Sequence, residues 1–465
     1  MSQLSDIPGI KSPVRAEPHG VDVVKSDEDF SIRVEKCALA KTWFKIGCLS
    51  FGGAAAQIAL LHREFIEERR LIDERSFLHA LNLCMLLPGP EAQQLATYLG
   101  WRLSGVSGGL LAGCLFVLPG AFVMLCLSII YAFFGAHPAI SALFFGLKCA
   151  VLSLIIHAVI RLGRRALKSI LAFALAIMSF LIMAFTTISF PFVILLASLF
   201  AYLIDPLWPA LFGAREHDER QTLQPIAWFP ILKSACLWII IWALPLGLIM
   251  LTLGSDHRLF DIGLFFGKLA SLSFGGAYAL LGWLAQTAVE TKSWLSSVEM
   301  ADGLGLAETT PGPTILVTEF VGFLAAYRAP QPLPPLVAAS LGAALTIWMT
   351  FVPSFLFIFA GAPLFERVRS YPRLAAAFQA ITAVIVGVIA WVGLWFALHL
   401  IFASVTMFEV GLIKVPLISW GSFKPEALGL STLSALMFFG LRLPLGVVIV
   451  LTILAGFGLR VVGFA

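Results

Sequence analysis

Long apolar runs separated by short polar stretches set the pattern of this chain. Many runs approach the roughly 20 residues that a transmembrane helix needs. They lack the alternation of apolar and polar positions, in segments of about ten residues, that marks an outer-membrane barrel. The pattern therefore predicts an all-α polytopic membrane protein with about 10 to 13 membrane segments. The apolar segments fall near residues 42–61, 79–101, 107–134, 141–160, 169–187, 190–204, 234–253, 263–287, 302–327, 336–361, 374–402, 427–441 and 444–464.

Composition agrees with a membrane protein. Of the 465 residues, 59% are hydrophobic and 12% are charged, whereas a soluble domain carries roughly 25% charged residues. The net charge of +4 is small and gives no indication of nucleic-acid binding. The seven cysteines form no CxxC pair, and no His or Cys cluster has metal-ligand spacing, so we expect no metal and no cofactor. Residues 1–41 are polar and lack the apolar core of a signal peptide, which predicts a polar cytoplasmic N-terminal arm.

Two short motifs each occur twice, in the same order. The sequence SFGG begins at Ser50 and again at Ser273, and Pro-Gly-Pro begins at Pro88 and again at Pro311; both pairs are 223 residues apart. Further on, Leu118-Pro119 recurs as Val352-Pro353 at a separation of 234, which indicates a short insertion in the second copy. The chain is therefore predicted to contain two homologous membrane repeats. The predicted boundaries are 42–204 for the first repeat, 205–262 for a linker with one extra membrane segment, and 263–465 for the second repeat.

Basic residues in the loops indicate how the repeats are oriented. Clusters within 161–168, 215–233 and 367–373 fit the cytoplasmic side, with a cytoplasmic N-terminus. If every segment spans, seven spans precede the second repeat, so the two copies run in opposite directions. Inverted repeats are typical of secondary transporters, whose site lies near the midplane between the halves. The loop 62–75 holds four arginines but falls outside in this scheme. Either the first SFGG segment enters and leaves from one side, or the loop is an exception.

Both motifs are expected to break helices inside membrane segments. The paired glycines of SFGG permit close backbone approach, which fits either helix packing or an unwound point that faces a ligand. Pro-Gly-Pro cannot continue a regular helix. A helix restarting near Glu91 or Thr314 would aim N–H groups and a positive dipole end at an anion; the alternatives are a plain kink or a re-entrant turn without a ligand. The candidate substrate-binding residues in these motifs are Gly52, Gly53, Pro88, Gly89, Pro90, Gly275, Gly276, Pro311, Gly312 and Pro313.

Polar residues beside the breaks extend this candidate site. The candidate hydrogen-bonding residues are Asn82, Gln93, Gln94 and Thr310. Arg63 follows the first SFGG segment and is a candidate for attracting an oxyanion. An ionisable group inside a membrane segment is a functional hypothesis by default, and it is otherwise a helix cap or the partner of an arginine. The candidate proton-coupling groups are Glu308 as first choice, then Glu91 and Glu319.

Other polar residues interrupt apolar runs without belonging to either motif. Lys148 lies several residues into a predicted helix, and the second copy has Thr382 at the corresponding position. Arg102 is explained by snorkelling to the membrane surface. His157 and His399 are expected to be packed or to lie at the lipid edge.

At these residues the chain resembles the chromate transporter (CHR) family in its long, two-domain form. The resemblance rests on residues 50–101 and 111–120 in the first copy and on 273–286 and 302–327 in the second. It implies a secondary transporter that exports chromate across the bacterial inner membrane, driven by the proton gradient or the membrane potential, and thereby confers chromate resistance. It also implies sulfate, another tetrahedral dianion, as competitor. The lipid bilayer is a further expected partner, nucleic acid is not, and a homodimer is compatible with this reading.

Two other classes of function remain open from the residues. The first is an importer or channel for sulfate or another oxyanion. The second is an intramembrane enzyme, against which stands the lack of any catalytic or nucleotide-binding motif in the sequence. We therefore expect that the protein is not an enzyme.

Overall fold

The computed structural model describes residues 36–85, 87–135, 137–206, 208, 228–273, 277–362 and 372–461. The helices before the second SFGG motif are α1 (Lys36–Leu49), α2 (Gly53–His62), α3 (Glu74–Cys84), α4 (Glu91–Phe134), α5 (Pro138–Ala166), α6 (Ile170–Phe185), α7 (Phe190–Ile204), α8 (Trp228–Thr252) and α9 (Arg258–Ser271). Those after it are α10 (Ala277–Ala285), α11 (Ser297–Thr309), α12 (Val317–Arg328), α13 (Pro335–Leu356), α14 (Pro372–Ile401), α15 (Pro425–Ala435) and α16 (Leu445–Val461). The helical membrane fold predicted from the apolar pattern is confirmed.

The first SFGG motif is the tip of a helical hairpin, which we call hairpin A (α1 and α2). Gly52 and Gly53 have φ of 87° and 76°, in the left-handed region that favours glycine. Trp43 on α1 packs against Phe65, which follows α2, with ring centroids 4.6 Å apart. Because these partners lie on opposite sides of the tip, the chain folds back and returns to the side from which it came.

The helices on either side of the second SFGG motif form a corresponding hairpin C (α9 and α10). Phe265 on α9 contacts Trp283 on α10 with ring centroids 5.8 Å apart. At the base, Lys292 Nζ lies 2.7 Å from Asp261 Oδ1. Hairpins A and C also end in the same way. Helices α2 and α10 each continue into a π-helical turn, Arg63–Glu68 after α2 and Gln286–Thr291 after α10. These turns are 223 residues apart, like the motifs.

The two Pro-Gly-Pro motifs are also hairpin tips. In hairpin D (α11 and α12), a Cβ on Gly303 would lie 2.4 Å from the Phe320 ring, so the two arms are in close contact on either side of the tip. In hairpin B, the arms are α3 and residues 91–103, the first part of α4. That part ends at a sharp turn, where Gly105 has φ 67°. Its 13 residues span about 20 Å, which is too short to cross a hydrocarbon core of about 30 Å.

Membrane-crossing helices follow each pair of hairpins. Five described helical segments are long and apolar enough to cross a membrane. They are Glu91–Phe134, Pro138–Arg164, Trp228–Thr252, Pro335–Gly361 and Arg373–Ile401. Within the first of these, only residues 106–134 lie beyond the turn at Gly105. Three further apolar helices, α6, α7 and α16, are shorter.

The two copies exchange their last helices. The pair α6 and α7 of the first copy packs on α14 of the second, where Ser179 Oγ donates to Val384 O at 2.9 Å. Reciprocally, α15 and α16 of the second copy pack on α5 of the first, where Ser153 Oγ lies 3.1 Å from Ser434 Oγ. Each copy therefore completes the helix layer of the other.

Hairpins A and B determine on which side of the membrane loop 62–75 lies. Hairpin A ends and hairpin B begins at this loop, so it lies on the same side of the membrane as the start of α1. This agrees with the alternative in which the first SFGG segment enters and leaves from one side. Because a hairpin that returns adds no crossing, the number of crossings before the second copy stays odd. The two copies are inverted repeats.

One feature has no predicted counterpart. Strands β1 (Val405–Val410) and β2 (Ile413–Ile418) form an antiparallel hairpin, in which Lys414 is buried and its Nζ lies 3.6 Å from Glu290 Oε2. Helix α8, the extra segment between the copies, is held on α13 mainly through tryptophans. Its Trp242 Nε1 donates to Met349 O at 3.1 Å.

Candidate functional site

The four hairpin tips meet crosswise, each with a tip of the other copy. The backbone N–H of Gly89 donates to Ser273 O at 2.9 Å, and that of Gly312 donates to Ser50 O at 2.8 Å. Both glycines are buried and have positive φ, 129° and 92°. Pro-Gly-Pro suits this contact because its prolines end the helix while the glycine turns its N–H toward the opposite tip. The motifs that define the repeats therefore also form contacts between the two copies.

The first contact is surrounded by polar side chains, and we call it the Gly89 cluster (Gly89, Ser273, Gln93, Gln94, Thr350 and Ser354). A Cβ on Gly89 would lie 2.5 Å from Gln94 Nε2 and 3.0 Å from Ser354 Oγ. Gln94 Nε2 donates to Pro88 O at 2.6 Å, which fixes the side chain over the tip. Ser354 follows Pro353 on α13 and belongs to the second copy.

The second contact, the Gly312 cluster (Gly312, Ser50, Gln57, Leu316 and Gly120), has the same plan with different side chains. A Cβ on Gly312 would lie 2.9 Å from Leu316 Cδ1 and 3.3 Å from Gly120 Cα. Leu316 thus stands where Gln94 stands in the Gly89 cluster, and Gly120 stands where Ser354 does. Gln57 Nε2 donates to Gly312 O at 2.7 Å and lies 3.3 Å from Ser50 O, so it holds the two tips together.

Helix N-termini surround both clusters. The helices α2 and 91–103 begin directly after the tips of hairpins A and B, and α12 begins after a 3₁₀ turn, Thr314–Leu316, beyond the tip of hairpin D. Their first N–H groups lack intrahelical partners, and their dipoles place partial positive charge at the centre of the molecule. The arrangement suits an anion, although the described residues of the tips include no basic side chain.

Several predicted substrate-binding residues lie at these tips. Pro88, Gly89 and Pro90 are buried in the Gly89 cluster together with Gln93 and Gln94. In the Gly312 cluster, Pro311, Gly312 and Pro313 are buried, and Thr310 caps the end of α11 with its Oγ1 3.3 Å from Ala307 O. Gly52 and Gly53 form the tip of hairpin A. Gly275 and Gly276 lie outside the described residues.

Two predicted site residues stand apart from the tips. Asn82 is exposed on α3. Arg63 is exposed at the base of hairpin A, where its Nε lies 3.3 Å from Glu68 Oε1. Ten residues of helix separate Arg63 from Gly53, which corresponds to about 15 Å. The structure brings neither of them to the tips.

The three candidate carboxylates occupy different environments. Glu91 is the first residue of α4 and is partly buried. Glu308 is buried near the end of α11, and Glu319 is buried in the first turn of α12. Glu319 Oε2 has no hydrogen-bond partner among the described residues.

The register of α12 and α13 places Glu319 relative to the Gly89 cluster. A Cβ on Gly322 would lie 2.0 Å from Thr346 Oγ1, and one on Gly342 would lie 2.7 Å from Ala326 Cβ, so the helices are antiparallel. Glu319 lies one turn before Gly322 on α12, and Thr350 lies one turn after Thr346 on α13. Glu319 and Thr350 are therefore at the same level. Glu319 therefore borders the Gly89 cluster.

Lys148, which interrupts an apolar run in the sequence, forms a charged group between the copies. Lys148 Nζ lies 2.9 Å from Asp302 Oδ1, and the Tyr131 hydroxyl donates to Asp302 Oδ2 at 2.8 Å. Lys148 and Tyr131 belong to the first copy, whereas Asp302 belongs to α11 of hairpin D. His157 packs on Phe438, with centroids 5.2 Å apart, and His399 lies against Trp395, as the expectation of packed histidines requires.

Loop 62–75 carries its own ion pairs at the membrane surface. His62 Nε2 lies 2.8 Å from Glu74 Oε2, and His62 Nδ1 lies 3.1 Å from Glu67 Oε1. The hydrogen bond to Glu74 is the main cause that raises the pKa of His62 above its ordinary value of 6.5. These contacts tie the end of hairpin A to the start of hairpin B.

Sequence reasoning missed Gln57, Thr350 and Ser354. Gln57 lies in an apolar helix seven residues beyond Ser50, and its partner Gly312 is 255 residues away. Ser354 follows the Val-Pro pair that helped to establish the repeat, but a single hydroxyl in an apolar helix carries no signal by itself. Comparing the copies at an offset of 234 would have found that Ser354 replaces Gly120.

The crosswise hairpins and odd crossing number define a polytopic membrane protein of the inverted-repeat class, with its candidate site at the centre. The family model described as "Chromate transporter" matches residues 37–203 and 260–458. The chain belongs to the chromate transporter family.

Three curated relatives are similar over most of the chain. The chromate transport protein of Pseudomonas aeruginosa is 31% identical over 350 residues, covering 75% of this chain and 77% of its own. The probable chromate transport protein of Synechococcus elongatus is 28% identical, covering 76% and 82%. The chromate transport protein of Cupriavidus metallidurans is 27% identical, covering 76% and 80%. No solved structure matches the chain.

Proposed function

We propose that this protein is a secondary active transporter that exports chromate across the bacterial inner membrane and thereby confers chromate resistance. The observation that carries the proposal is the pair of crosswise contacts, Gly89 N to Ser273 O and Gly312 N to Ser50 O. They support a central site that both inverted repeats build, as alternating access requires. Family membership supports chromate as the substrate.

The chemistry of the tips suits a tetrahedral oxyanion. Helix N-termini and backbone N–H groups attract the dianion, while the glycines let the backbone approach it closely. Sulfate has the same shape and charge, so it competes. The described tips offer the anion no lysine or arginine, which keeps binding weak enough for release on the other side.

The tips also suggest how access alternates. Each contact between copies consists of a backbone hydrogen bond and small side chains, so rocking one repeat against the other breaks few interactions. Separation of one pair of tips would open the site toward one side while the other pair stays closed.

A buried carboxyl beside the site couples transport to the proton gradient in this proposal. We favour Glu319 over the first sequence candidate Glu308, because Glu319 borders the Gly89 cluster and its Oε2 lacks a described partner. A protonated Glu319 tolerates a neighbouring dianion, whereas an ionised one repels it. In vesicles, Glu319→Gln should abolish uncoupler-sensitive accumulation and retain chromate exchange at equal concentrations. If Glu308→Gln instead produces this phenotype, the coupling role belongs to Glu308.

The charge distribution supports a cytoplasmic N-terminus. With hairpin A re-entrant, the four arginines of loop 62–75 lie on the same side as the start of α1. The basic cluster within 161–168 follows two crossings, 106–134 and α5, and therefore lies on that side too. By the positive-inside rule, this distribution of basic residues favours the cytoplasm for that side.

The direct test of function is uptake of radiolabelled chromate into everted membrane vesicles, in which uptake corresponds to export. The proposal predicts accumulation that an uncoupler abolishes and excess sulfate suppresses. Accumulation only in right-side-out vesicles would make the protein an importer. Uptake that needs no gradient and runs at channel-like rates in electrical recordings would make it a channel.

A further inference from the structure

The Gly89 cluster contains an unusual concentration of unsatisfied polar groups. In the described part of the chain, four of its side-chain atoms are buried without a hydrogen-bond partner: Gln93 Oε1, Gln94 Oε1, Thr350 Oγ1 and Ser354 Oγ. Their side chains are 0–2% exposed. A buried polar group without a partner destabilises the fold, and about 90% or more of buried polar groups in native proteins are paired. Such a concentration indicates that something else satisfies them.

The two hydroxyls among these groups lie on one face of α13. Ser354 Oγ lies on the side of Gly89 where other residues carry a side chain. It is 3.0 Å from the position that a Cβ on Gly89 would occupy. Thr350 lies one helical turn before Ser354, on the same face of α13. That face contacts α12 at Thr346 and reaches the tip of hairpin B at Ser354. The two hydroxyls therefore line a single path from α12 to Gly89.

The Gly312 cluster provides an internal comparison. Gln57 satisfies Gly312 O there, and the cluster has no unpartnered buried side-chain atom among the described residues. Position 116, which corresponds to Thr350 at the offset of 234, is a fully buried phenylalanine. At position 280, which corresponds to Gln57, the sequence has leucine, a residue without a hydrogen-bonding side chain. The polar side chains of the Gly312 cluster are therefore satisfied within the cluster, whereas four side-chain atoms of the Gly89 cluster have no partner among the described residues.

We propose that the transported oxyanion binds at the Gly89 cluster alone, with the hydroxyls of Thr350 and Ser354 as hydrogen-bond donors. This rests on the proposed function in oxyanion transport. Gln94 Nε2 carries a second hydrogen beyond the one given to Pro88 O, and it donates to the same ligand. Water that accompanies the anion satisfies the two glutamine oxygens. The ligand class is a tetrahedral dianion, chromate or sulfate, and the Gly312 cluster serves as a structural joint.

The test is equilibrium binding of radiolabelled chromate to the purified full-length protein in nanodiscs. Thr350→Val and Ser354→Ala should each weaken binding about tenfold, because each removes one hydrogen bond to a charged group. Thr350→Ser keeps the hydroxyl and should bind within about twofold of the unmodified protein.

Matched controls remove hydroxyls that already have partners. Thr346 lies one turn from Thr350 and its Oγ1 donates to Gly342 O at 2.8 Å, whereas Ser128 Oγ donates to Met124 O at 2.8 Å. Thr346→Val and Ser128→Ala should leave chromate affinity unchanged. If Ser354→Ala does not elute as a monodisperse protein, the comparison of Thr350→Val with Thr350→Ser decides.

Three results would overturn the assignment. Unchanged affinity in both Thr350→Val and Ser354→Ala would mean that only water satisfies these hydroxyls. Weakened binding in Gln57→Leu together with normal binding in Thr350→Val would place the anion at the Gly312 cluster. In either case the transport function would stand. Absence of chromate and sulfate binding to the unmodified protein would overturn the proposed function and this site with it.

Discussion

The Gly89 and Gly312 clusters share a backbone and differ in chemistry. In both, a Pro-Gly-Pro glycine donates its N–H to the serine carbonyl of the opposite SFGG tip, at 2.9 and 2.8 Å. Around Gly312 the neighbouring positions are Leu316 and Gly120, whereas around Gly89 they are Gln94 and Ser354. Duplication preserved the joint that holds the copies together, while its side chains diverged. A pseudo-symmetric frame can thus carry an asymmetric site.

The largest effect should come from the feature that both clusters share. Replacing Gly89 or Gly312 with valine should reduce chromate accumulation in everted vesicles to background. Both positions have positive φ, and a Cβ would lie 2.5 Å from Gln94 Nε2 or 2.9 Å from Leu316 Cδ1. Membrane insertion, measured by immunoblot of the membrane fraction, should be retained. Gly247→Val is the control, because a Cβ there meets nothing within 4 Å. Normal efflux in either tip variant would contradict the central pocket.

A second difference between the copies is the buried charge group. Lys148→Met should lower the free energy of unfolding by about 3–5 kcal/mol, because it leaves the buried Asp302 without its charged partner. Asp302→Asn should lower it less, because the Lys148 side chain that loses its partner is 13% exposed. The double variant should recover most of that loss. Thermal unfolding in detergent measures all three. Additive losses in the double variant would show that the two side chains do not act as a pair.

A smaller effect is expected at the Gly312 cluster, which we propose to be a structural joint. Gln57→Leu removes the bond to Gly312 O and should lower the free energy of unfolding by about 1–3 kcal/mol. Chromate affinity should stay within about twofold, since the anion binds at the other cluster. Thermal unfolding and equilibrium binding on the same sample check both. If Gln57→Leu has normal stability, the Gly312 cluster is not a structural joint, and its distinction from the ligand site is lost.

The smallest effect concerns the membrane surface, where the first copy has His62 and the second has Ala285 at the corresponding position. Because Glu74 raises the pKa of His62 above 6.5, its pairing stabilises the fold below pH 6.5 and is lost as pH rises through the folded-state pKa. The unmodified protein should therefore lose more stability than His62→Gln between pH 6 and pH 8. Parallel pH profiles would mean that these ion pairs contribute nothing.

The sequence predicted the elements that motifs mark. Paired SFGG and Pro-Gly-Pro blocks predicted the duplication, the broken helices and their place between the halves. Hydropathy did not separate hairpins from spans, because α1 and α2 together are as long and apolar as one crossing helix. Ser50 and Gly312 are 262 residues apart, so no local pattern indicates their contact.

The side-chain details were the least predictable part. Asn82 and Arg63 are near the motifs in sequence but lie on an exposed face and at a hairpin base. Gln57, Thr350 and Ser354 are near in space but belong to otherwise apolar helices. A hydroxyl or an amide at such a position has a recognisable role only once the hairpin tip that lies next to it is known.

The central claim is that each copy completes the other, and a cross-link tests it most directly. Ser153 and Ser434 lie on α5 and α15 of different copies with their Oγ atoms 3.1 Å apart, close enough for the Cβ separation of about 3.8 Å that a disulfide needs. The measurement uses Ser153→Cys with Ser434→Cys, without native cysteines and with a protease site between α7 and α8. After oxidation and cleavage, the account predicts one full-length band that reductant splits into two halves. Two halves without reductant, from protein that still transports chromate, would contradict the crosswise fold.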